Sequence, residues 1–182
     1  MRPLPAERLT ELLAQMLREG WSVELEVTGT SMSPLIRSRD VLTVEPVRPW
    51  LGDVVARTDA GGRLVVHRVV GRQGSRWLTR GDASTGLDLP ADDEHLLGTV
   101  RRIVRHGAEV RRGLGPSRVP LALLSRAGLL RPLLWPARVL ARRRADRSDQ
   151  GGDDLADLGV LAEVQLVEGH AGEERVARTE RR

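Results

Sequence analysis

Between residues 21 and 112, apolar side chains recur at alternate positions in several short segments, and this period of two constrains the fold more than any other feature. In the first segment Val23, Leu25 and Val27 alternate with two glutamates, a pattern typical of a strand with one buried face. Clusters of Gly, Pro and Asp separate the segments. We predict strands at 22–28, 41–45, 53–57, 63–71, 76–80 and 97–104. The sequence therefore predicts a mainly β fold of short antiparallel strands in one compact domain.

The segments that flank this region have other patterns. Residues 6–19 carry apolar side chains at helical spacing and are followed by Gly20, so we predict an N-terminal amphipathic helix. The spaced residues are Leu9, Leu12, Leu13, Met16 and Leu17. We divide the chain into this helix (1–20), the β domain (21–112), a helical segment rich in Leu, Pro and Arg (113–147), and an acidic tail (148–182). For much of the tail we expect disorder, with a helix near 154–168.

All of the positively charged side chains are arginines, because the sequence has 29 arginines and no lysine. Residues 101–147 hold 13 arginines and two acidic residues, a net charge of +11. Such a segment suits an anionic membrane surface or nucleic acid. Trp135 is its only aromatic residue, so side chains that stack on bases are nearly absent and nucleic acid is the less expected partner.

No stretch of the sequence is long and apolar enough to predict a membrane span. Within 114–141 the longest uncharged run is 119–125, whereas a span needs about 20 apolar residues. The predicted N-terminal helix contains five charged residues between 6 and 19 and lacks the continuous apolar stretch of a secretory signal. We therefore expect the protein in the cytoplasm or peripherally at a membrane. The segment 114–141 then either lies on the lipid surface or covers the β domain.

The residue types that are missing exclude several kinds of catalytic site. Without Cys there is no thiolate nucleophile and no cysteine zinc site, and without Lys there is no lysine base. Arginine stays protonated at any working pH, so it cannot replace lysine as a base. Acid–base chemistry in this chain therefore falls to His, Asp or Glu. The spacing of the four histidines predicts no metal site, and we expect no cofactor; they are His67, His95, His106 and His170.

Three segments carry residues that could work together in catalysis. The segment 29–34 (GTSMSP) follows the first predicted strand, and a turn there could expose the Ser31 hydroxyl and its N–H. His67 lies inside an apolar strand and could serve as the base that a serine nucleophile requires. Asp82 and Asp88 follow, and a carboxylate beside the histidine would hold its tautomer. The structural alternatives are an ordinary Gly/Ser turn, a core histidine and turn-capping aspartates.

In this order the segments resemble the signal peptidase I family of serine endopeptidases. That family has a Gly-x-Ser-Met-x-Pro box, a Gly-Asp segment, a strand with the base, a second Gly-Asp box and a closing strand. The similar segments here are 29–34, 52–55, 66–70, 79–82 and 97–100, within residues 20–105. His67-Arg68 resembles the branch typical of the endoplasmic reticulum and archaea, which has His where the common bacterial branch has Lys.

The resemblance implies a coiled antiparallel β-sheet core and an endopeptidase that cleaves signal, leader or precursor peptides, with an extended peptide or preprotein as its substrate. It implies Ser31 as nucleophile and His67 as general base. Asp82 and Asp88 match aspartates implicated in that branch, and Asp88 is the preferred partner of the histidine. The residues expected around the oxyanion and the substrate are Gly29, Thr30, Met32 and Pro34.

The sequence departs from the family pattern at several positions. Gly29 stands where some bacterial members have a serine that contributes to the oxyanion hole. Arg39-Asp40 replaces a Gly-Asp pair, and Ala83 replaces a frequent Asn. Members are usually anchored by a transmembrane helix, which this sequence does not clearly contain. An inactive family member and a basic module that binds nucleic acid or a membrane surface are the alternative functions.

Overall fold

The computed structural model describes residues 6–111 and 113–129, and β-strands dominate this part of the chain. Helix α1 spans Ala6–Arg18, helix α2 spans Arg118–Arg126, and a short 3₁₀ helix covers Asp93–His95. The strands are β1 (Val23–Glu26), β2 (Val41–Glu45), β3 (Val54–Thr58), β4 (Leu64–Gln73), β5 (Arg76–Arg80), β6 (Leu96–Arg105) and β7 (Ala108–Glu109). The prediction of a mainly β fold is confirmed.

Within the described residues the seven strands form one open antiparallel sheet. The strand order is β1-β2-β6-β3-β4-β5, and β7 pairs with β6. Each predicted strand coincides with an observed one, and the bounds of β2 and β5 are those predicted. The sequence does not predict β7 or the 3₁₀ helix, because two or three residues are too few to show a period.

Apolar side chains on one face of the sheet pack with α1 into the larger core cluster. Leu13 and Leu17 of α1 are buried there with Leu25 of β1 and Leu42 of β2. Met32, from the loop after β1, belongs to the same cluster and is 4% exposed. Full burial of such a side chain stabilises the fold by roughly 1.5–3 kcal/mol. The core therefore holds the segment 29–34 against the sheet. A smaller cluster, formed by Val55, Val69 and Trp77, lies on the opposite face.

Helix α2 lies against β4. It belongs to the segment 113–147, which we predict to be helical and which the structure describes as far as residue 129. Its small residues Ala122 and Ser125 are buried, whereas Leu123 is 54% exposed. Arg80 donates a hydrogen bond to the carbonyl oxygen of Ser125 at 2.7 Å. In this part of the segment, small residues and arginine contacts join the helix to the sheet, and Leu123 faces solvent. The remainder of 113–147 and the tail with its predicted helix lie outside the described residues.

Three aspartates of the β domain are buried and each is bonded to an arginine. Asp40 pairs with Arg105 through two hydrogen bonds of 2.7 Å. The Asp53 carboxylate accepts from Arg118 at 2.7 Å and from the backbone N–H of Trp50 at 2.8 Å. The third, Asp82, pairs with Arg68. Breaking a buried pair by removing one partner typically costs about 3–5 kcal/mol, so these pairs fix the loops that they join.

In the part of the chain that the structure describes, no helix is both long and apolar enough to cross a membrane.

Candidate active site

The serine segment 29–34 forms a compact turn directly after β1. Gly29 has a φ of 98°, a conformation that glycine adopts without strain, and Ser31 is half-buried two residues later. The Ser33 N–H donates to Thr30 O at 3.0 Å, and the Ser33–Pro34 peptide bond is cis. Thr30 is exposed and Pro34 is buried. The turn thus presents the Ser31 side chain between an exposed neighbour and the core.

Met32 anchors the turn from below. Its side chain is buried in the larger core cluster, and its Sδ accepts a weak hydrogen bond from the Asp82 N–H at 3.4 Å. We therefore assign Met32 a structural role beneath Ser31, in place of the substrate contact that the sequence suggests.

A second connection joins the serine turn to the loop after β5. The Ala83 N–H donates to Ser31 O at 2.7 Å. At Gly81 three segments of the chain come close together. A Cβ atom at this position would lie 2.8 Å from Ser31 O and 3.1 Å from His67 Nε2, and it would also meet Ser84 Oγ. These distances are shorter than ordinary carbon contacts, so the position requires glycine. Ser31, His67 and Ser84 therefore surround one small space beside Gly81.

Strand alternation separates His67 from its neighbour Arg68. Val55 pairs with His67 and Val54 pairs with Arg68, so the two side chains lie on opposite faces of the sheet. On the face of His67, its Nδ1 forms a 2.6 Å hydrogen bond with Asp88 Oδ2. On the other face, Arg68 donates to both carboxylate oxygens of Asp82, at 2.8 and 2.7 Å.

The two aspartates that the sequence proposes for catalysis thus have different partners. Asp88 binds the candidate base, whereas Asp82 forms a buried ion pair in which neither side chain is exposed to solvent. Arg68 also donates to the carbonyl oxygens of Gly52 and Gly113, at 2.8 and 2.9 Å. Asp82 therefore holds loops together behind the site.

The Asp88 carboxylate is partly buried and has several donors. Burial acts to raise its pKa, but the hydrogen bond and charge of His67, the Thr79 hydroxyl at 2.6 Å and the charge of Arg57 together lower the pKa below its ordinary value of 3.8. Asp88 is therefore ionised at neutral pH. An ionised carboxylate at Nδ1 favours the imidazole tautomer that carries its proton there and leaves Nε2 as the acceptor.

Among the described residues the structure contains no hydrogen bond between the Ser31 hydroxyl and His67 Nε2. Catalytic hydrogen bonds are often long in the absence of substrate and tighten when it binds. The Ser31 N–H also donates no hydrogen bond to a described residue. The arrangement offers a hydroxyl, an oriented imidazole, an ionised carboxylate and an N–H donor.

Four further residues of the site have no role in the sequence prediction. Thr79 and Gly81 lie in a segment that the resemblance covers, but neither residue type indicates catalysis. Arg57 is the charged residue in the otherwise apolar segment 53–57 after Asp53, which is a weak signal of a buried functional charge. Ser84 has no sequence signal, because only the folding of the loop brings it beside Gly81.

One cluster away from this site has residue types that ligate metals. Asp92, Glu94 and His95 each place one ligand atom within 4.8 Å of the others. Arg76 Nε lies 3.0 Å from Asp92 Oδ1, and Glu94 and His95 are exposed. Asp92 is already paired with an arginine, and exposed acidic groups such as Glu94 are common without an ion, so we assign no metal here.

Comparison with known proteins gives no match to a family model, a curated protein or a solved structure. The site is therefore interpreted from its own geometry and from the order of its sequence motifs.

Proposed function

We propose that this protein is a serine endopeptidase that cleaves signal, leader or precursor peptides, with Ser31 as nucleophile and His67 as general base. The observation that carries the proposal is the 2.6 Å hydrogen bond between His67 Nδ1 and Asp88, on an imidazole whose Nε2 lies near the Ser31 backbone beside Gly81. A nucleophile, a base and a carboxylate that orients the base are the parts that acyl transfer requires.

The reaction follows from these positions. As the Ser31 Oγ attacks the carbonyl carbon of the substrate, Nε2 of His67 takes the hydroxyl proton, and Asp88 stabilises the resulting imidazolium. The Ser31 N–H donates to the oxyanion that develops. His67 then transfers the proton to the leaving amine as the peptide C–N bond breaks, which leaves an acyl group on Ser31. A water molecule, deprotonated by His67, attacks the ester carbonyl; the ester bond to Ser31 Oγ then breaks, His67 returns the proton to Oγ, and the acyl product leaves as a carboxylic acid.

An extended peptide is the substrate that the sheet suits best. Within the described residues β1 pairs with β2 along one edge, no other strand of the sheet pairs with its second edge, and β1 leads toward the serine turn. A peptide that adds to this edge as another strand would be held by main-chain hydrogen bonds and would direct a carbonyl group toward Ser31. The resemblance to signal peptidases favours small side chains next to the cleaved bond.

A cleavage assay with matched variants tests the proposal. A mixture of synthetic peptides with varied sequences is incubated with the protein, and mass spectrometry identifies the cleaved bonds. We expect Ser31→Ala and His67→Ala each to reduce cleavage by on the order of 10⁴-fold or more, because each removes a member of the catalytic set. Ser38→Ala, at an exposed serine seven residues away, is the control and should cleave normally. Undiminished cleavage by Ser31→Ala would reject the assignment, and no cleavage by the wild type would favour the inactive alternative.

A peripheral contact with an anionic membrane surface is a second candidate property, proposed beside the protease function. Trp50 is 74% exposed, and the loop that carries it adjoins the start of α2, where a Cβ on Gly52 would lie 2.5 Å from Arg118 O. Leu123 of α2 is also exposed, and the segment from 101 to 147 has a net charge of +11. An exposed Trp and Leu beside basic charge are typical of interfacial binding.

Flotation with lipid vesicles tests this placement. We expect binding to vesicles that contain phosphatidylglycerol and none to pure phosphatidylcholine, with less binding for Trp50→Ser and at high salt. Equal, salt-sensitive binding of Trp50→Ser and the wild type to unrelated duplex DNA, without vesicle binding, would favour the nucleic-acid alternative. A protein that binds neither would be expected in the cytoplasm.

A further inference from the structure

The buried side chain of Arg57 lies behind the Asp88 carboxylate, on β3. It is 5% exposed, and the only carboxylate that pairs with it in the described residues is Asp88, with Nη1 3.9 Å from Oδ2. The same Nη1 donates to Thr79 Oγ1 at 2.7 Å and to Leu89 O at 3.2 Å. A buried guanidinium lowers the stability of the fold unless it is paired and hydrogen-bonded, so these contacts hold the Arg57 side chain in one position.

The strand register explains how Arg57 reaches the site. Val55 lies opposite His67 in the pairing of β3 with β4, and Arg57 is two residues further along the same face. Thr79 of β5 lies opposite Val69, which is on the face of His67. Three neighbouring strands therefore place an arginine, a histidine and a threonine around one aspartate.

The hydrogen-bond directions in this group follow from the chemistry of its members. A guanidinium can only donate, so the Thr79 oxygen accepts from Arg57 and must send its own proton to Asp88 Oδ2, 2.6 Å away. The ionised carboxylate can only accept, so the proton between Asp88 and His67 belongs to Nδ1. Nε2 of His67 is then left with its lone pair.

We propose that Arg57 is a positioning residue for the His67 base, and that it acts through Thr79 and Asp88 to keep the proton on Nδ1 and the lone pair on Nε2. The proposal rests on the proposed function of this site and adds the residue that determines which nitrogen of His67 carries the proton. Arginine suits this position because its charge does not depend on pH, so the direction of every bond in the chain stays the same. Asp88 faces His67 from β4 and Arg57 from β3, and Thr79 from β5 completes its partners.

Two pairs of variants isolate this role. Arg57→Met removes the charge and the donors but keeps an apolar chain of similar length, and Arg63→Met changes an arginine that is 57% exposed in the turn before β4. Thr79→Val removes the hydroxyl with almost the same shape, whereas Thr79→Ser retains it. The Thr79 pair keeps the test valid if Arg57→Met fails to fold, which thermal melting will reveal.

Nitrogen-15 NMR of the imidazole rings reports the tautomer directly and needs no substrate. The signals of His67 are assigned by their loss in His67→Gln. We expect the wild type, Arg63→Met and Thr79→Ser to carry the proton on Nδ1, and we expect Arg57→Met and Thr79→Val to show a mixture of both tautomers. In the peptide assay, kcat of Arg57→Met and Thr79→Val should fall on the order of 10²-fold while KM changes little, because the base is misplaced and substrate contacts remain.

The two readouts also separate this proposal from the protease function. An unchanged His67 tautomer and an unchanged kcat in folded Thr79→Val would overturn the role of Arg57. Full cleavage by Ser31→Ala together with a mixed tautomer in Thr79→Val would instead reject the protease mechanism and leave the coupling of Arg57 to His67 intact.

Discussion

Substitution by asparagine should mainly reduce stability at Asp82 and mainly reduce catalysis at Asp88. Asp82→Asn removes the charge that balances Arg68 and replaces one of the two acceptor oxygens with an NH2 group, so one guanidinium donor loses its acceptor while the carbonyl oxygens of Gly52 and Gly113 remain. Neither side chain of the pair is exposed, so water cannot replace the lost partner. We therefore expect a loss of about 3–5 kcal/mol in the free energy of unfolding. For a domain of this size that corresponds to a fall in Tm on the order of 10–25 °C.

Asp88→Asn should instead reduce catalysis with a smaller loss of stability. The amide no longer fixes the Nδ1 proton of His67, and the comparable change in a serine protease triad costs about 10⁴ in kcat. Asp88→Asn also leaves the buried charge of Arg57 without its carboxylate, but Arg57 keeps its hydrogen bonds to Thr79 and Leu89 and Asp88 is 22% exposed, so we expect a stability loss of about 1–3 kcal/mol, smaller than that of Asp82→Asn. The two phenotypes are thus separable in one pair of variants.

Thermal and urea unfolding, followed by circular dichroism, and the peptide assay together measure these effects. Asp92→Asn is the control, because its pair with Arg76 is 43% and 57% exposed and should contribute at most about 1 kcal/mol. The double variant Arg68→Met with Asp82→Leu should be more stable than Asp82→Asn, since no buried charge remains unpaired. Normal stability of Asp82→Asn with abolished cleavage, beside an active Asp88→Asn, would refute the reasoning.

Three further predictions concern the same region. Gly81→Ala should abolish cleavage, because its Cβ would enter the space between Ser31 O and His67 Nε2; Gly86→Ala, where a Cβ meets no atom within 4 Å, is the control for both melting and activity. Folding lowers the pKa of Asp88, so its ionised form stabilises the protein above pH 3.8, and this contribution is lost as the pH falls further. The stability of Asp88→Asn should therefore lack that part of the dependence on acid. Urea unfolding of both proteins between pH 5 and pH 2 will measure the difference. A histidine base accepts a proton only in its neutral form, so kcat/KM should fall as the pH is lowered from neutral, and a rate that does not fall in acid would contradict a histidine base.

The strands could be predicted from the sequence where turn-forming residues delimit short apolar segments. The strands β2 and β5 have the predicted bounds because Asp40 and Pro46 flank β2, and Gly74 and Gly81 lie on either side of β5. The contacts of α2 could not be predicted in the same way, since the sequence left open whether its leucines cover the β domain or a lipid surface, and Ala122 and Ser125 occupy the buried face. Small residues lie there because helix and strand approach closely, which depends on tertiary packing.

The site was predictable as a set of candidates but not as an assignment of partners. The order of motifs singled out Ser31, His67, Asp82 and Asp88, yet either aspartate could have been the partner of the histidine. His67 and Arg68 lie on opposite faces of β4, and each aspartate contacts the residue on its own face. The pairing of β4 with β3 determines which of the two residues lies on which face. The proposed role of Arg57 could not be predicted for the same reason, because only the strand register places its charge behind Asp88.

The backbone accommodates Arg39 at a position where the signal peptidase motif that the sequence resembles usually has glycine. Arg39 has a φ of 69°, in the left-handed region that glycine favours. The adjacent Asp40 side chain accepts from the Arg37 N–H at 2.8 Å and from Arg105. The turn is thus formed with arginine in place of glycine, held by the buried aspartate beside it.

The most direct test of the central claim is to locate the acyl group during turnover. An ester analogue of a cleaved peptide is mixed with the protein, the reaction is quenched in acid, and peptide mapping by mass spectrometry finds the modified residue. Acid protonates the base that the second step requires, so the intermediate is preserved. We predict that the acyl group lies on Ser31 and is missing in Ser31→Ala. An acyl group on another residue, such as Ser84, or equal product formation by Ser31→Ala would contradict the account.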